Sequence, residues 1–129
     1  MAYILIIDDD EDFSNAASIA LKSAGHEVAS ELSVGKGKAS VESRPPDILV
    51  LDVMFPEDSA AGFRVAQELH QSHPDLPIVL LTAVNQEFPL GFSKKHIDDV
   101  HMPVTDFIEK PVDLAVLCQR VSDLAAKQA

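Results

Sequence analysis

The stretch ILIIDDDED (Ile4–Asp12) joins an apolar run directly to five consecutive acidic residues. The apolar part is rich in β-branched residues without polar alternation, which is typical of a strand buried on both faces of a parallel sheet. In the acidic part, two unit charges about 4 Å apart would repel by ~1 kcal/mol in water and by ~4 kcal/mol at a protein surface. Such a cluster is therefore either fully solvated or positioned to hold a cation.

Length and composition predict one domain that spans residues 1–129. The 129 residues are 47% hydrophobic and carry a net charge of −11. This charge argues against a nucleic acid or an anionic membrane as a direct partner. Cys118 is the single cysteine, and we find neither a signal peptide nor an apolar run of about 20 residues. We therefore expect a cytoplasmic protein without membrane insertion.

Short apolar runs alternate with helical patterns along the chain. Strands are predicted at 3–7, 26–30, 47–51, 77–81 and 106–108. Helices are predicted from the acid cluster to a C-cap at Gly25, and then at 33–43, 61–72 and 112–127. This alternation predicts an α/β fold, a single-domain flavodoxin-like doubly wound (βα)5 sandwich around a parallel five-stranded sheet.

Three of these segments carry more specific predictions. The first helix has an apolar stripe at three- and four-residue spacing, made of Phe13, Ala16, Ala17, Ala20, Leu21 and Ala24. Two glycines weaken the helix predicted at 33–43. Residues 84–105 show no clean period and predict a loop with a short helix near 93–100. Cys118 falls on the apolar stripe of the last helix, which predicts a small core residue rather than a reactive thiol.

Polar residues stand where the predicted strands end. Asp8 and Asp9 follow the first strand, Asp52 the third, Thr82 the fourth and Lys110 the fifth. Each has an ordinary explanation by itself, such as a helix start, a turn or a solvated charge. In doubly wound sheets, however, ligands bind beyond the carboxyl ends of the strands. Their common position at that edge therefore predicts a functional site.

The chemistry of this predicted site follows from its charges. Carboxylate oxygens suit a hard divalent cation, and Mg²⁺ is usually held by one or two carboxylates together with water and phosphate oxygens. A lysine and a hydroxyl opposite the acids could hold the remaining oxygens of a phosphoryl group. Asp52 is the best candidate nucleophile because it follows a buried strand directly, whereas Asp8 and Asp9 are better suited to metal binding.

Over essentially its whole length, the chain resembles a response regulator receiver domain of two-component signalling. The resemblance rests on four motifs in the family's order, IIDDD, LDVMFP, LLTA and FIEKP. It implies the strand order 2-1-3-4-5. It also implies a phosphoacceptor switch rather than a conventional enzyme.

The resemblance further implies roles for individual residues. Asp52 would accept a phosphoryl group from a phosphohistidine on a sensor histidine kinase or a phosphotransfer protein. Asp9 would bind Mg²⁺ directly and Asp8 through water, with Asp52 and the backbone carbonyl of Met54 as further ligands. Thr82 would contact the phosphoryl oxygens.

Other implied roles concern the response to phosphorylation. Lys110 would also contact the phosphoryl oxygens, and its bond to Pro111 would be cis. Thr82 would move toward the new charge and Phe107 would follow, changing the surface around the predicted helix at 93–100 and the fifth strand. Met54 and Val84 stand where the family tunes hydrolysis, and both are apolar. This predicts slow autodephosphorylation.

The segment from Thr82 to Lys110 is longer than is usual in the family, and Phe88, Leu90 and Phe92 in it could form a docking edge. An alternative is therefore a receiver-like docking module that acts without phosphorylation. Two other readings fit less well. The first is a haloacid-dehalogenase-like phosphatase, which requires an acid in place of Met54. The second is a flavodoxin-like cofactor-binding protein, in which the acids after the first strand would repel the phosphate of the cofactor.

Overall fold

The computed structural model describes residues 2–52, 61–83, 106–110 and 112–128. At 61–63, 82–83, 106–107, 109–110 and 127–128 the description is limited to the backbone. The loop and short helix predicted within 84–105, the docking edge, Met54 and the Lys110–Pro111 bond lie outside the described residues. The predictions for these positions stay predictions.

Between residues 3 and 83, strands and helices alternate along the chain as the sequence predicts. The strands are β1 (Tyr3–Ile7), β2 (Glu27–Glu31), β3 (Ile48–Asp52), β4 (Ile78–Ala83) and β5 (Asp106–Lys110). The helices are α1 (Glu11–Ser23), α2 (Val34–Ser43), α3 (Ala61–Ser72) and the C-terminal helix (Leu114–Gln128). None of these helices combines the length and the apolar composition that crossing a bilayer requires.

The five strands form one sheet in the order β2-β1-β3-β4-β5, and every neighbouring pair is parallel. The predicted doubly wound fold and its strand order are confirmed. β1 and β3 lie side by side in the middle of the sheet although β2 separates them along the chain. This is the point at which the strand order reverses, and the crevice at such a point is where sheets of this class bind ligands.

Helices cover both faces of the sheet and create two apolar cores. Successive residues of a strand point to opposite faces, so Leu5 and Ile7 enter one core while Ile4 and Ile6 enter the other. The first core lies under α2 and α3, through Val41, Val65, Ala66 and Leu69. The second lies under α1 and the C-terminal helix, through Ala17, Leu21, Leu117, Val121 and Leu124. This double burial explains why the central strands are continuously apolar.

The first helix begins within the acid cluster, and its C-cap is Ala24, one residue before the predicted Gly25. Its buried stripe also differs from the predicted one. Asp10 is the N-cap, and its side chain accepts a hydrogen bond from the N–H of Phe13 at 3.0 Å. Gly25 has φ +97°, which suits the residue just beyond a helix. Ala16 and Ala24, expected in the stripe, are exposed, whereas Ser14 is buried. The buried residues of α1 are Ser14, Ala17 and Leu21, and the helix contacts β2 and the C-terminal helix.

A histidine connects three elements at the amino-terminal edge of the sheet. The N–H of Ala2 donates to His26 Nδ1 at 3.2 Å, and His26 Nε2 lies 3.3 Å from Ser122 Oγ in the C-terminal helix. Because Nδ1 accepts a hydrogen bond, the proton of the neutral ring is on Nε2, which then donates to Ser122.

Cys118 in the C-terminal helix is half-buried against the second core, and burial raises the pKa of its thiol, as expected of a core residue.

Candidate functional site

Asp8 and Asp52 come together because β1 and β3 are neighbours in the sheet. Ile7 is in register with Leu51, so the next residue on each strand path is an aspartate. Asp52 is the last residue of β3, and Asp8 directly follows β1. The pairing of the two central strands therefore brings together two acids that are distant along the chain.

Asp9 completes a cluster of three carboxylates. Each of Asp8, Asp9 and Asp52 offers a carboxylate oxygen, and these oxygens lie within 4.8 Å of one another. Asp8 is 0% exposed and Asp52 is 4% exposed, while Asp9 is open to solvent. Asp8 and Asp52 are thus buried at the edge of the sheet, and the carboxylate of Asp9 lies beside them at the surface.

Hydrogen bonds hold Asp8 in place. The N–H of Asp10 donates to Asp8 Oδ1 at 2.9 Å, and the N–H of Asp8 donates to the carbonyl of Glu31 at 3.2 Å. Asp10, as the N-cap of α1, and Glu31, as the last residue of β2, both belong to regular elements. The acid that starts the cluster is therefore fixed by the sheet on one side and by the helix on the other.

Ser14 is a site residue that the sequence analysis missed. It is 1% exposed, and its Oγ donates to the carbonyl oxygen of Asp8 at 3.4 Å. The sequence contains a signal for its burial, because Ser14, Ala17 and Leu21 recur at helical spacing on one face. A serine is not an apolar residue, however, and a search for an apolar stripe passes over it.

The other predicted site residues are placed by the backbone. Asp52 is in register with Leu81, so Thr82 lies one residue beyond it on the next strand. Lys110 is in register with Ala83 at the end of β5. Both therefore lie at the same carboxyl edge of the sheet as the acid cluster. Phe107 is in register with Leu80, deeper in the sheet.

The cluster has the donor set of a site for a hard divalent cation. Three carboxylate oxygens at this separation repel one another, and two of the acids are buried where water screens charge weakly. Carboxylate oxygens are the ligands that Mg²⁺ takes in proteins, usually alongside water and phosphate oxygens. The residues present thus fit a magnesium site.

Comparisons with known proteins show the family of this chain. The family model of the response regulator receiver domain matches residues 4–122. A curated relative, the DNA-binding dual master transcriptional regulator RpaA of Synechocystis, is 35% identical over 126 residues, which is 96% of this chain and 49% of RpaA. The chain spans about half the length of the curated relatives that it matches.

Solved structures show the same fold. The receiver domain of the Francisella response regulator 1452 superposes with a TM-score of 0.83 at 18% identity, covering 100% of both chains. The receiver domain of NtrX from Brucella abortus gives a TM-score of 0.79 at 24% identity, covering 94% of this chain and 96% of that one.

Proposed function

This chain belongs to the response regulator receiver domain family, and we propose that Asp52 is its phosphoacceptor. The observation that carries the proposal is the cluster of Asp8, Asp9 and Asp52, whose carboxylate oxygens lie within 4.8 Å of one another at the carboxyl edge of β1 and β3. Asp52 ends a buried strand, so its backbone is fixed, as a nucleophile requires. Receiver domains are phosphoacceptors of two-component systems rather than conventional enzymes.

The proposed reaction is a phosphoryl transfer from a phosphohistidine. An oxygen of the Asp52 carboxylate forms a bond to phosphorus while the bond from phosphorus to the imidazole nitrogen breaks. The electron pair of that bond returns to the histidine of the donor, and Asp52 becomes an acyl phosphate. Positioning and neutralisation of charge supply most of the rate in such transfers.

We assign the metal-holding role to Asp8 and Asp9, with Asp52 and the backbone carbonyl of Met54 as further ligands. When bound, Mg²⁺ would offset the charge that otherwise repels a phosphoryl group from this pocket. The hydrogen bond from the N–H of Asp10 keeps the Asp8 carboxylate oriented without adding a positive charge. Thr82 and Lys110 lie at the same carboxyl edge of the sheet, and we assign them the role of contacting the phosphoryl oxygens.

The partner and the output are also part of the proposal. The donor would be a sensor histidine kinase or a phosphotransfer protein, and a second protein would recognise the surface that changes with Thr82 and Phe107. Phe107 has no hydroxyl, so this change would be one of packing alone. The predictions of a single domain over 1–129 and of a cytoplasmic location stay predictions.

Intact mass after incubation with acetyl phosphate tests the proposal. We expect a phosphoryl adduct on the wild type that requires Mg²⁺ and is absent from Asp52→Asn. Asp47→Asn is the matched control, because Asp47 is an exposed acid at the opposite edge of the sheet, and it should keep the adduct. A wild type that takes no phosphoryl group, even from a phosphorylated histidine kinase, would contradict the proposal and favour the docking module.

A further inference from the structure

Ser14 stands out among the buried polar residues. Among the described residues, the buried polar or charged side chains are Asp8, Ser14 and Asp52. Two of them belong to the acid cluster, and the third lies in the first turn of α1. A hydroxyl loses its bonds to water when it is buried, so its partner in the protein indicates its role.

The hydroxyl of Ser14 reaches out of its own helix. A serine inside a helix commonly bonds the carbonyl four residues earlier, which here is that of Asp10. That carbonyl accepts the N–H of Ser14 at 2.9 Å, as in any helix. The Ser14 Oγ instead donates at 3.4 Å to the carbonyl of Asp8, which lies before the helix begins.

Together these contacts hold both polar groups of the Asp8 backbone. The N–H of Asp8 is bound to the carbonyl of Glu31 in β2, and its carbonyl is bound by Ser14 in α1. The direction of a carboxylate follows from the orientation of the backbone that carries it. A change at Ser14 therefore acts on the metal-facing carboxylate through the backbone of Asp8.

We propose that Ser14 is a positioning residue that sets the affinity of the acid cluster for its divalent cation. This inference rests on the proposed function, since it concerns the same site. Ser14 does not touch the reacting atoms. Its effect should therefore appear in the affinity for Mg²⁺ and not in the rate of phosphoryl transfer once Mg²⁺ is saturating.

The test compares Ser14→Ala, Ser14→Thr and Ala17→Gly. Ser14→Ala removes the hydroxyl. Ser14→Thr keeps it, and Ser14 lines a cleft of about 320 Å³ into which we expect the extra methyl group to fit. Ala17→Gly destabilises the same buried face of α1 without reaching the β1–α1 loop, so it controls for loss of stability alone.

Mg²⁺ affinity is measured by calorimetric titration. The rate of phosphorylation is measured with acetyl phosphate as the donor at saturating Mg²⁺. For Ser14→Ala we expect a Kd for Mg²⁺ about threefold to tenfold higher, the range for one lost hydrogen bond, with a nearly unchanged rate at saturation. Ser14→Thr should restore the wild-type Kd. Ala17→Gly should lower the Tm and leave the Kd unchanged.

Two results would overturn the inference alone: a wild-type Kd in Ser14→Ala, or an equal loss of affinity in Ala17→Gly. In both cases the wild type would still bind Mg²⁺ and accept a phosphoryl group, so the proposed function would stand. A wild type that does neither would overturn both proposals.

Discussion

Gly37 of α2 packs directly on Ile7, the last residue of β1. A Cβ built on Gly37 would lie 2.7 Å from Ile7 Cγ1, closer than carbon atoms approach in proteins. Gly35, on the same helix, has no neighbouring atom within 4 Å of such a Cβ. The two glycines that weaken the sequence signal for this helix thus have different roles, and the one at 37 lets α2 lie close to the strand that precedes Asp8.

We expect Gly37→Ala and Gly35→Ala to change stability in opposite directions. The methyl group at 37 should overpack the core and cost about 1–3 kcal/mol of unfolding free energy. At 35 it should add roughly 0.5–1 kcal/mol, since alanine favours a helix over glycine. Urea unfolding of both variants measures this. A stabilised Gly37→Ala would show that the contact with Ile7 relaxes without penalty.

Asp9→Asn should raise the Tm without Mg²⁺ and reduce the Tm shift that Mg²⁺ produces. Removing one charge lowers the repulsion within the cluster, and it also removes a ligand. In the wild type, Mg²⁺ at about one hundred times its Kd should raise the free energy of unfolding by ~2.7 kcal/mol.

Asp12→Asn is the control, because Asp12 is an exposed acid in the first turn of α1 outside the cluster. Asp12→Asn should show the same rise in Tm with Mg²⁺ as the wild type. Equal shifts in Asp9→Asn and the wild type would remove Asp9 from the metal site.

His26 should make the protein less stable as the pH falls through about 6.5. Burial, and then the positive charge at the amino terminus, lower the pKa of His26 in the folded chain. The unfolded chain therefore binds more protons in this range, so stability is present above the unfolded pKa and is lost as the pH falls toward the folded one. Protonation would also remove the acceptor for the N–H of Ala2.

Unfolding free energies at about pH 7.5 and about pH 5.5 check this for the wild type and His26→Asn. The variant should lose less stability over that interval. His70→Asn, at an exposed position on α3, should behave like the wild type. If the pH dependence of His26→Asn equals that of the wild type, the loss of stability at low pH is caused by other groups.

Met54→Asn should shorten the lifetime of the phosphoryl group. Met54 follows Asp52 by two residues and cannot orient a water molecule through a hydrogen bond, whereas an asparagine can. The adduct on each protein is followed by intact mass after removal of acetyl phosphate, with Met102→Asn as a control at another methionine of the sequence. No faster loss in Met54→Asn would argue against slow autodephosphorylation caused by this side chain.

Much of the fold could be predicted because its signals are local and agree with one another. Continuous apolar runs mark strands covered on both faces, and the bounds predicted for 61–72 match α3. The order β2-β1-β3-β4-β5 came instead from the family resemblance, since the residues alone predict only a doubly wound sheet. The buried stripe of α1 was partly wrong at Ala16 and Ala24, because alanines mark a face weakly.

The acid cluster could be predicted for a different reason. Parallel strands end at one edge, so Asp8 and Asp52 were expected at the same edge once their strands were recognised, and the strand order implied by the family resemblance made those strands neighbours. The supports of the cluster could not be predicted in this way. The bond from Ser14 to the carbonyl of Asp8 and the bond to the carbonyl of Glu31 involve backbone groups, which every residue carries.

The register of β1 against β3 also bears on how the protein folds. Parallel neighbours cannot form a local hairpin, so Ile7 and Leu51 meet only after a long segment of chain has been closed into a loop. A slip of one residue in this pairing would turn the side chain of Asp52 to the opposite face of the sheet. The acid pocket thus exists only in correctly assembled chains, and a cation that binds it would selectively stabilise those over misregistered intermediates.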